Sequence, residues 1–390
     1  MKILLIHNNY GVYSGEETVV NKQIALFREM GHQVSVYRKT TEGLRGTLWG
    51  NIKGFFTAFY SWSSVREVKR ILKNDKPGIV VVHNLYPYIS PAVLKPIHKA
   101  GVPIIMTVHN YRLICPTGLF MRNAKPCELC LEKGNEWSCV RYNCEHSLLK
   151  SIGYAGRNWY ARKTKAYTDN VDTYTCLTDF QKQKLVEAGF DENKITVIPN
   201  SIPFSSELNY MPGDYVAYIG RLSYEKGYDL LIEAANEIPE IPFYFAGAKR
   251  DIVTKTPQNV QLIGHLNKEA LAEFIRNSRF VVMPSRCYEG FPMTILEAAA
   301  YAKPTIAPAH AGFLEIIDEN ETGLHFEPGN VVDLSQKIRY LWKNEVACRQ
   351  MGEQAFQKLQ THYLFESIKK KWETLLNSHE KITQHHNSLL

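Results

Sequence analysis

Residues 279–309, RFVVMPSRCYEGFPMTILEAAAYAKPTIAPA, read as strand, turn, helix and strand. RFVVMPS and PTIAPA are short apolar runs of the length seen in strands buried on both faces, and MTILEAAAYA between them has helical character. Two strands joined through a helix make a parallel βαβ unit. The alternation extends outward from there. Upstream, YVAYIG, PFYFAGA and NVQLIG are strand-like, with LIEAANEI and EALAEFIRNS as intervening helices. Near the start, KILLIH, QVSVY, IVVVHN and PIIMTVHN repeat the pattern. Glu17 to Met30 places Val20, Ile24 and Phe27 at helical spacing, and Gly31 suits a helix C-terminus. The expected class is α/β, with two doubly wound parallel-sheet domains facing across a cleft. Ligands of such sheets bind outside the carboxyl ends of the strands. In ITVIPNSIPFSSELNYMPGD, residues 195–214, strand character gives way to Pro, Ser and Asn, which puts the domain boundary there. The expected division is 1–200, 201–365 and, for 366–390, a helix with an exposed polar tail.

A length of 390 residues exceeds what one hydrophobic core usually serves. The net charge of +7 is unevenly spread. Residues 1–200 carry 27 Lys/Arg against 16 Asp/Glu, a balance of +11, and the remainder carries 19 against 23, or −4. A basic first half suits an anionic partner, either phosphate or a membrane surface, with nucleic acid and a merely solvated basic face as alternatives. No stretch reaches the roughly 18 apolar residues of a membrane-spanning helix. The opening MKILLIHNNY is expected to be a first buried strand rather than a secretory signal, since its apolar run stops at His7, Asn8 and Asn9 without a cleavage site. A cytoplasmic protein, able to sit peripherally on the inner face of the cell membrane, is expected.

Glu289 and Glu297 stand eight positions apart around a turn at Gly290 and Pro292, with a helix starting near Met293. The N–H groups at that helix start can face a diphosphate, and Glu297 can accept two hydrogen bonds from a ribose diol. Two glutamates on a helix are more often solvent-facing; their setting argues otherwise. EGFPMTILEA resembles the E-x7-E signature of the family-4 retaining glycosyltransferases, often called glycosyl transferases group 1. GRLSYEKGYDLLIEA is similar to that family's phosphate-binding segment, and APAHAGFLEIIDENETGLHFEPGN to the stretch after its second glutamate. The resemblance implies the GT-B arrangement of two Rossmann-like domains, the first holding the acceptor and the second the nucleotide sugar.

Carried over by position, it implies that Arg221 and Lys226 bind the donor diphosphate, Glu289 meets the transferred sugar and Glu297 holds the ribose. Gly220, Gly290, Phe291, Pro292, Met293 and Thr294 complete the donor segment. In the first domain Tyr13-Ser14-Gly15-Glu16 is similar to the family's glycine loop, with Ser14 where glycine is usual, so Gly15 and Glu16 join the donor set. His109 falls where the family places a histidine near the donor sugar, and Asn200 in VIPNS resembles a hinge segment. Glu289, His109, Arg221 and Lys226 are the expected catalytic set. His83, at the end of IVVVHN, reads more simply as a strand-end residue. The implied activity is retaining, hexosyltransferase-type transfer from a UDP-sugar, or a GDP-sugar, to a saccharide or lipid-linked saccharide in surface polysaccharide assembly. With no Asp-x-Asp in the sequence, no cofactor is expected for catalysis. Nucleic acid is not expected as a partner. Other classes on the same scaffold are a non-catalytic nucleotide-sugar or polyanion-binding protein, an epimerase and a phosphorylase.

Five of the eight cysteines cluster within 115–147, an insert. Cys127-x2-Cys130 with Cys144, and Cys115 or Cys139 as fourth ligand, has the look of structural zinc; free thiols fit equally well. Residues 45–73 join Trp49, Phe55, Phe56, Phe59, Tyr60 and Trp62 to Arg66, Lys69, Arg70 and Lys73, and Lys150 to Lys165 adds Tyr154, Trp159 and Tyr160. Aromatic beside basic residues suits an anionic membrane surface; a helix covering its own sheet is the plainer alternative.

Overall fold

Two six-stranded sheets, all of whose strands run parallel, organise the chain in this computed structural model, which describes residues 1–9, 15–43, 47–202, 210–251 and 255–387. Strands β1 (Lys2–Asn9), β2 (Gln33–Thr40), β3 (Ile79–Val82) and β4 (Ile104–Thr107) are followed by a two-stranded antiparallel ribbon, β5 (Met121–Arg122) and β6 (Lys125–Pro126). With β7 (Thr173–Cys176) and β8 (Ile195–Val197) the first sheet has the order β2-β1-β3-β4-β7-β8. Its central strands are sealed, with Ile3 to Ile6 and Val80 to Val82 wholly without exposure, because helices cover both faces. The helix Gly15–Glu29 buries Val20, Ile24 and Phe27, and the chain leaves it through Gly31 at φ +81°, a conformation glycine adopts without strain. The second sheet consists of β9 (Tyr215–Ile219), β10 (Phe243–Ala246), β11 (Val260–Gly264), β12 (Ser278–Val282), β13 (Thr305–Pro308) and β14 (Gly323–Phe326). Its order is β11-β10-β9-β12-β13-β14, so the winding reverses between β9 and β12 and opens a crevice at their carboxyl ends.

Met1–Gly118, Leu129–Pro199 and Ile368–Leu390 form one compact unit, and Leu119–Glu128 with Asn200–Ser367 form the other. The chain passes from the first unit to the second between Pro199 and Asn200. Two departures have clear causes. The expected C-terminal helix, Phe365–Asn387, runs on into the stretch read as an exposed tail, and its Ile368, Trp372 and Leu376 are buried one turn apart in the first unit. Trp372 meets the ring of Phe27 edge-on at 5.2 Å, and His379, the first residue of the polar stretch HEKITQHHNSLL, bonds Thr173 Oγ1 at 2.9 Å. One apolar residue per turn is enough to dock a helix while its overall composition stays polar. The ribbon segment counts with the second unit because the Tyr288 N–H donates to the Leu119 carbonyl at 3.2 Å and the Tyr288 hydroxyl donates to Glu128 at 3.0 Å, with buried Phe120 against the same ring. Among the described residues, no helix is long and apolar enough to cross a membrane.

Candidate active site

In the second unit, two loops leave the sheet where its winding reverses. Gly220 and Arg221 follow β9 and lead through a short turn, Tyr224–Lys226, into the helix Tyr228–Asn236. Ser285 to Pro292 follows β12 and enters the helix Met293–Ala299. Glycine holds the two loops close. Gly227 has φ +69°, and a Cβ there would lie 1.9 Å from the Pro284 carbonyl oxygen. A Cβ on Gly247 would lie 1.8 Å from the carbonyl oxygen of Gly220.

This approach joins the expected residues. Lys226 Nζ donates to Glu289 Oε1 at 2.5 Å, and Ser285 Oγ donates to the same oxygen at 2.7 Å. Burial works against the charge of Glu289, but Lys226, the bond from Ser285 and the more distant Arg221 hold its carboxyl below the ordinary value. Burial likewise opposes the Lys226 ammonium, and Glu289 more than offsets it, raising the lysine. Arg221 is half-exposed and pairs with Glu225 at 3.2 Å, which also takes Arg250 at 3.0 Å. Glu225 thereby fixes two guanidinium groups without neutralising both.

Sequence reasoning missed the brace beneath this site. Arg286, nearly buried, grips Asp229 through both terminal nitrogens at 2.5 and 2.9 Å, donates to the Tyr224 carbonyl at 2.9 Å and lies over the Tyr224 ring. It ties the second loop to the turn that carries Lys226. A charged residue inside the apolar-flanked SRCYEG was the available signal. Asn200 is buried with its amide donating to the Phe291 carbonyl at 3.5 Å, so it steadies the Glu289 loop from below. Gly290, Phe291, Pro292, Met293 and Thr294 lie along the same loop and helix start, and Glu297, half-buried, is the helix's fifth residue.

The first unit holds a separate polar cluster at the carboxyl ends of β1, β3 and β4. His7 Nε2 bonds Glu17 Oε1 at 2.9 Å, its Nδ1 is 3.9 Å from Glu16 Oε1, and His83 Nδ1 bonds His109 Nε2 at 2.7 Å. Burial, aided by the neighbouring Glu17, pushes the Glu16 carboxyl up to about 8, which leaves it protonated at neutral pH. Burial, with His7 nearby, brings His109 down to about 3. Gly15 opens the helix that carries both glutamates. Tyr13 and Ser14 of the expected glycine loop lie outside the described residues.

All eight cysteines are free thiols. Cys139 hydrogen-bonds Cys144, and Cys144, Cys115 and Cys130 stand near enough to oppose a thiolate there. Cys127 falls in the segment that counts with the second unit. Among the described residues, no group of three or more His, Cys, Asp or Glu side chains is disposed to hold a metal ion. On the first unit's surface, the helices Leu48–Phe59 and Leu148–Lys163 meet where the rings of Phe55 and Phe59 lie on Gly153 and Gly156. Beside that seam Trp49, Ile52 and Phe56 make one exposed stripe at i, i+3, i+7, and Leu148, Ile152 and Trp159 make another.

Residues 204–358 match the family described as glycosyl transferases group 1, and residues 13–205 match glycosyltransferase family 4. An uncharacterized glycosyltransferase of Methanocaldococcus jannaschii is 32% identical over 369 residues, covering 90% of this chain and 92% of the relative. An uncharacterized 42.6 kDa protein in the cps region of Klebsiella pneumoniae is 27% identical over 353 residues, covering 81% and 87%. Among solved structures, the Anabaena protein HepE in complex with UDP superposes with a TM-score of 0.66 at 14% identity, covering 97% of this chain and 100% of that one.

Proposed function

Since the chain belongs to the family-4 glycosyltransferases, we propose that it transfers a hexose from UDP, in preference to GDP, to a saccharide or lipid-linked saccharide, with retention at the anomeric carbon. The observation that carries this reading is the Arg221, Lys226, Ser285 and Glu289 assembly at the β9/β12 reversal. As the bond from the anomeric carbon to the diphosphate breaks, negative charge grows on the departing phosphate, and fixed cations stabilise it most in the transition state. The acceptor oxygen bonds the same face of the anomeric carbon, and its proton passes to the departing phosphate oxygen. Glu289, with Oε1 held by two donors, orients the transferred sugar, and Glu297 takes the ribose hydroxyls. No metal is needed for these steps.

Surface-polysaccharide assembly is the setting we favour, supported by the relative in a cps region and by the exposed stripes of Trp49, Ile52, Phe56 and Leu148, Ile152, Trp159 on a basic first half. Such a surface suits an anionic membrane on which a lipid-linked acceptor is presented. Zinc analysis, read as equivalents per chain, assigns the insert's thiols: one equivalent makes them ligands, and none leaves them as packed free thiols.

A calorimetry and thermal-shift panel of UDP, GDP and ADP with their common sugar conjugates tests the donor site, run beside Lys226→Ala and Glu297→Ala. UDP should raise the melting temperature of the wild type and of neither variant. A wild type indifferent to every nucleotide would remove the basis of the transfer reading.

A further inference from the structure

His83 is 1% exposed at the end of β3, its N–H donating to the Ile6 carbonyl at 3.0 Å. Its ring lies edge-on to His7, with centroids 6.0 Å apart, and within 18° of parallel to His109. The 2.7 Å bond between His83 Nδ1 and His109 Nε2 uses one nitrogen of each ring. His83 Nε2 is sealed from solvent and has no hydrogen-bond partner among the described residues. His109 is half-buried, so its remaining nitrogen, Nδ1, is the one that can meet a ligand.

Burial lowers the basicity of all three imidazoles. For His83 it is reinforced by His109, His7 and Arg38, and for His7 it outweighs the opposing pull of Glu17. Glu17 spends its charge on His7, and Glu16 is neutral at pH 7. Each neutral ring then carries one N–H and one lone pair. Two arrangements satisfy the shared bond. If His109 Nε2 donated, His83 would carry its proton on Nε2, a sealed N–H with nowhere to go, which folded proteins rarely tolerate. If His83 Nδ1 donates, only a lone pair is left sealed, and His109 carries its proton on Nδ1.

We propose that His83 is a positioning residue that fixes His109 as the Nδ1–H tautomer, so that His109 offers the transferred sugar one hydrogen-bond donor and no base. This rests on the reading that His109 meets the donor sugar. It explains why a histidine, rather than an apolar residue, is buried at the end of β3. It also assigns deprotonation of the acceptor elsewhere, consistent with the departing phosphate.

The test is a long-range proton–nitrogen correlation spectrum of protein labelled with 15N-histidine at neutral pH, with His83→Phe and His83→Asn alongside. The wild type should show His109 protonated on Nδ1 alone. Phenylalanine keeps a buried ring but removes the donor, and should move His109 to the Nε2–H form or a mixture. Asparagine places an amide donor near the Nδ1 position and should restore the pattern. The slow hydrolysis of UDP-glucose should fall about tenfold in kcat for His83→Phe with little change in KM, and recover in His83→Asn. An Nε2–H wild type, or an unchanged His109 in His83→Phe, overturns the proposal, and the wild-type spectrum decides even if that variant fails to fold. An Nδ1–H wild type that neither binds nor turns over UDP-glucose would instead sink the transfer reading and uphold the tautomer.

Discussion

Replacing Lys226 by methionine keeps most of the side-chain volume and removes the ammonium from a nearly buried carboxylate. The Lys226 side chain is 23% exposed and that of Glu289 13%, with 2.5 Å between them. Removing one partner of a buried pair costs about 3–5 kcal/mol. Residual exposure and the surviving bond from Ser285 bring the expectation to about 2–3 kcal/mol at pH 7. Adding Glu289→Gln to the same chain removes the stranded charge and should restore most of that loss, a coupling of about 2 kcal/mol. The sign of the pH dependence should also reverse. In the wild type, Glu289 is held below its ordinary value of 4.5, so its contribution is full above that pH and is lost as pH falls. Without Lys226, burial is opposed only by the bond from Ser285 and the more distant Arg221, and the folded carboxyl should rise. The variant should then lose stability as pH rises above the ordinary carboxylate range. Hydrogen exchange of residues 278–299 between pH 5 and 8 measures this locally, without requiring a two-unit chain to unfold in one step. A loss under about 0.5 kcal/mol, or a Glu289→Gln penalty that adds to that of Lys226→Met, would refute the reasoning.

Gly227→Ala should weaken UDP binding at least tenfold and lower the melting temperature by several degrees, since the left-handed conformation costs about 1–2 kcal/mol and the Pro284 carbonyl must also shift; unchanged UDP affinity in calorimetry counts against the two-loop site. Glu16→Gln should raise the melting temperature relative to wild type more at pH 8 than at pH 5. Between 4.5 and about 8 the folded wild type holds a proton that the unfolded chain has released, so wild-type stability falls with rising pH across that window; a pH-independent difference between the two proteins contradicts this. The double change Trp49→Ser and Phe56→Ser should cut co-sedimentation with phosphatidylserine-containing vesicles about tenfold or more while leaving UDP binding intact. A wild type that ignores such vesicles rejects the membrane reading.

Periodicity and spacing made the fold legible in outline. Runs such as IVVV and FVV can only be central strands, and the glutamate pair with its flanking glycine and proline marked the loop where the winding reverses. What stayed hidden was what depends on partners remote in sequence. Arg286 looks like surface charge until Asp229, 57 residues earlier, takes both its nitrogens. His7 appeared only to end an apolar run, yet it bonds Glu17 of the helix Gly15–Glu29, and His83 gains its meaning from His109. The docking of the final helix stayed hidden because composition averages over a stripe of one buried residue per turn.

That helix also dictates an order of events during synthesis. Phe27 is made early, and its cover, Trp372, is joined to the chain 345 residues later. At roughly 5–20 residues per second, about 20–70 s pass while the first unit waits for its last helix. Asn200–Ser367 emerges complete within that interval. The later-made unit can therefore finish first, and the earlier one stays open to chaperones and proteases until Ile368, Trp372 and Leu376 arrive.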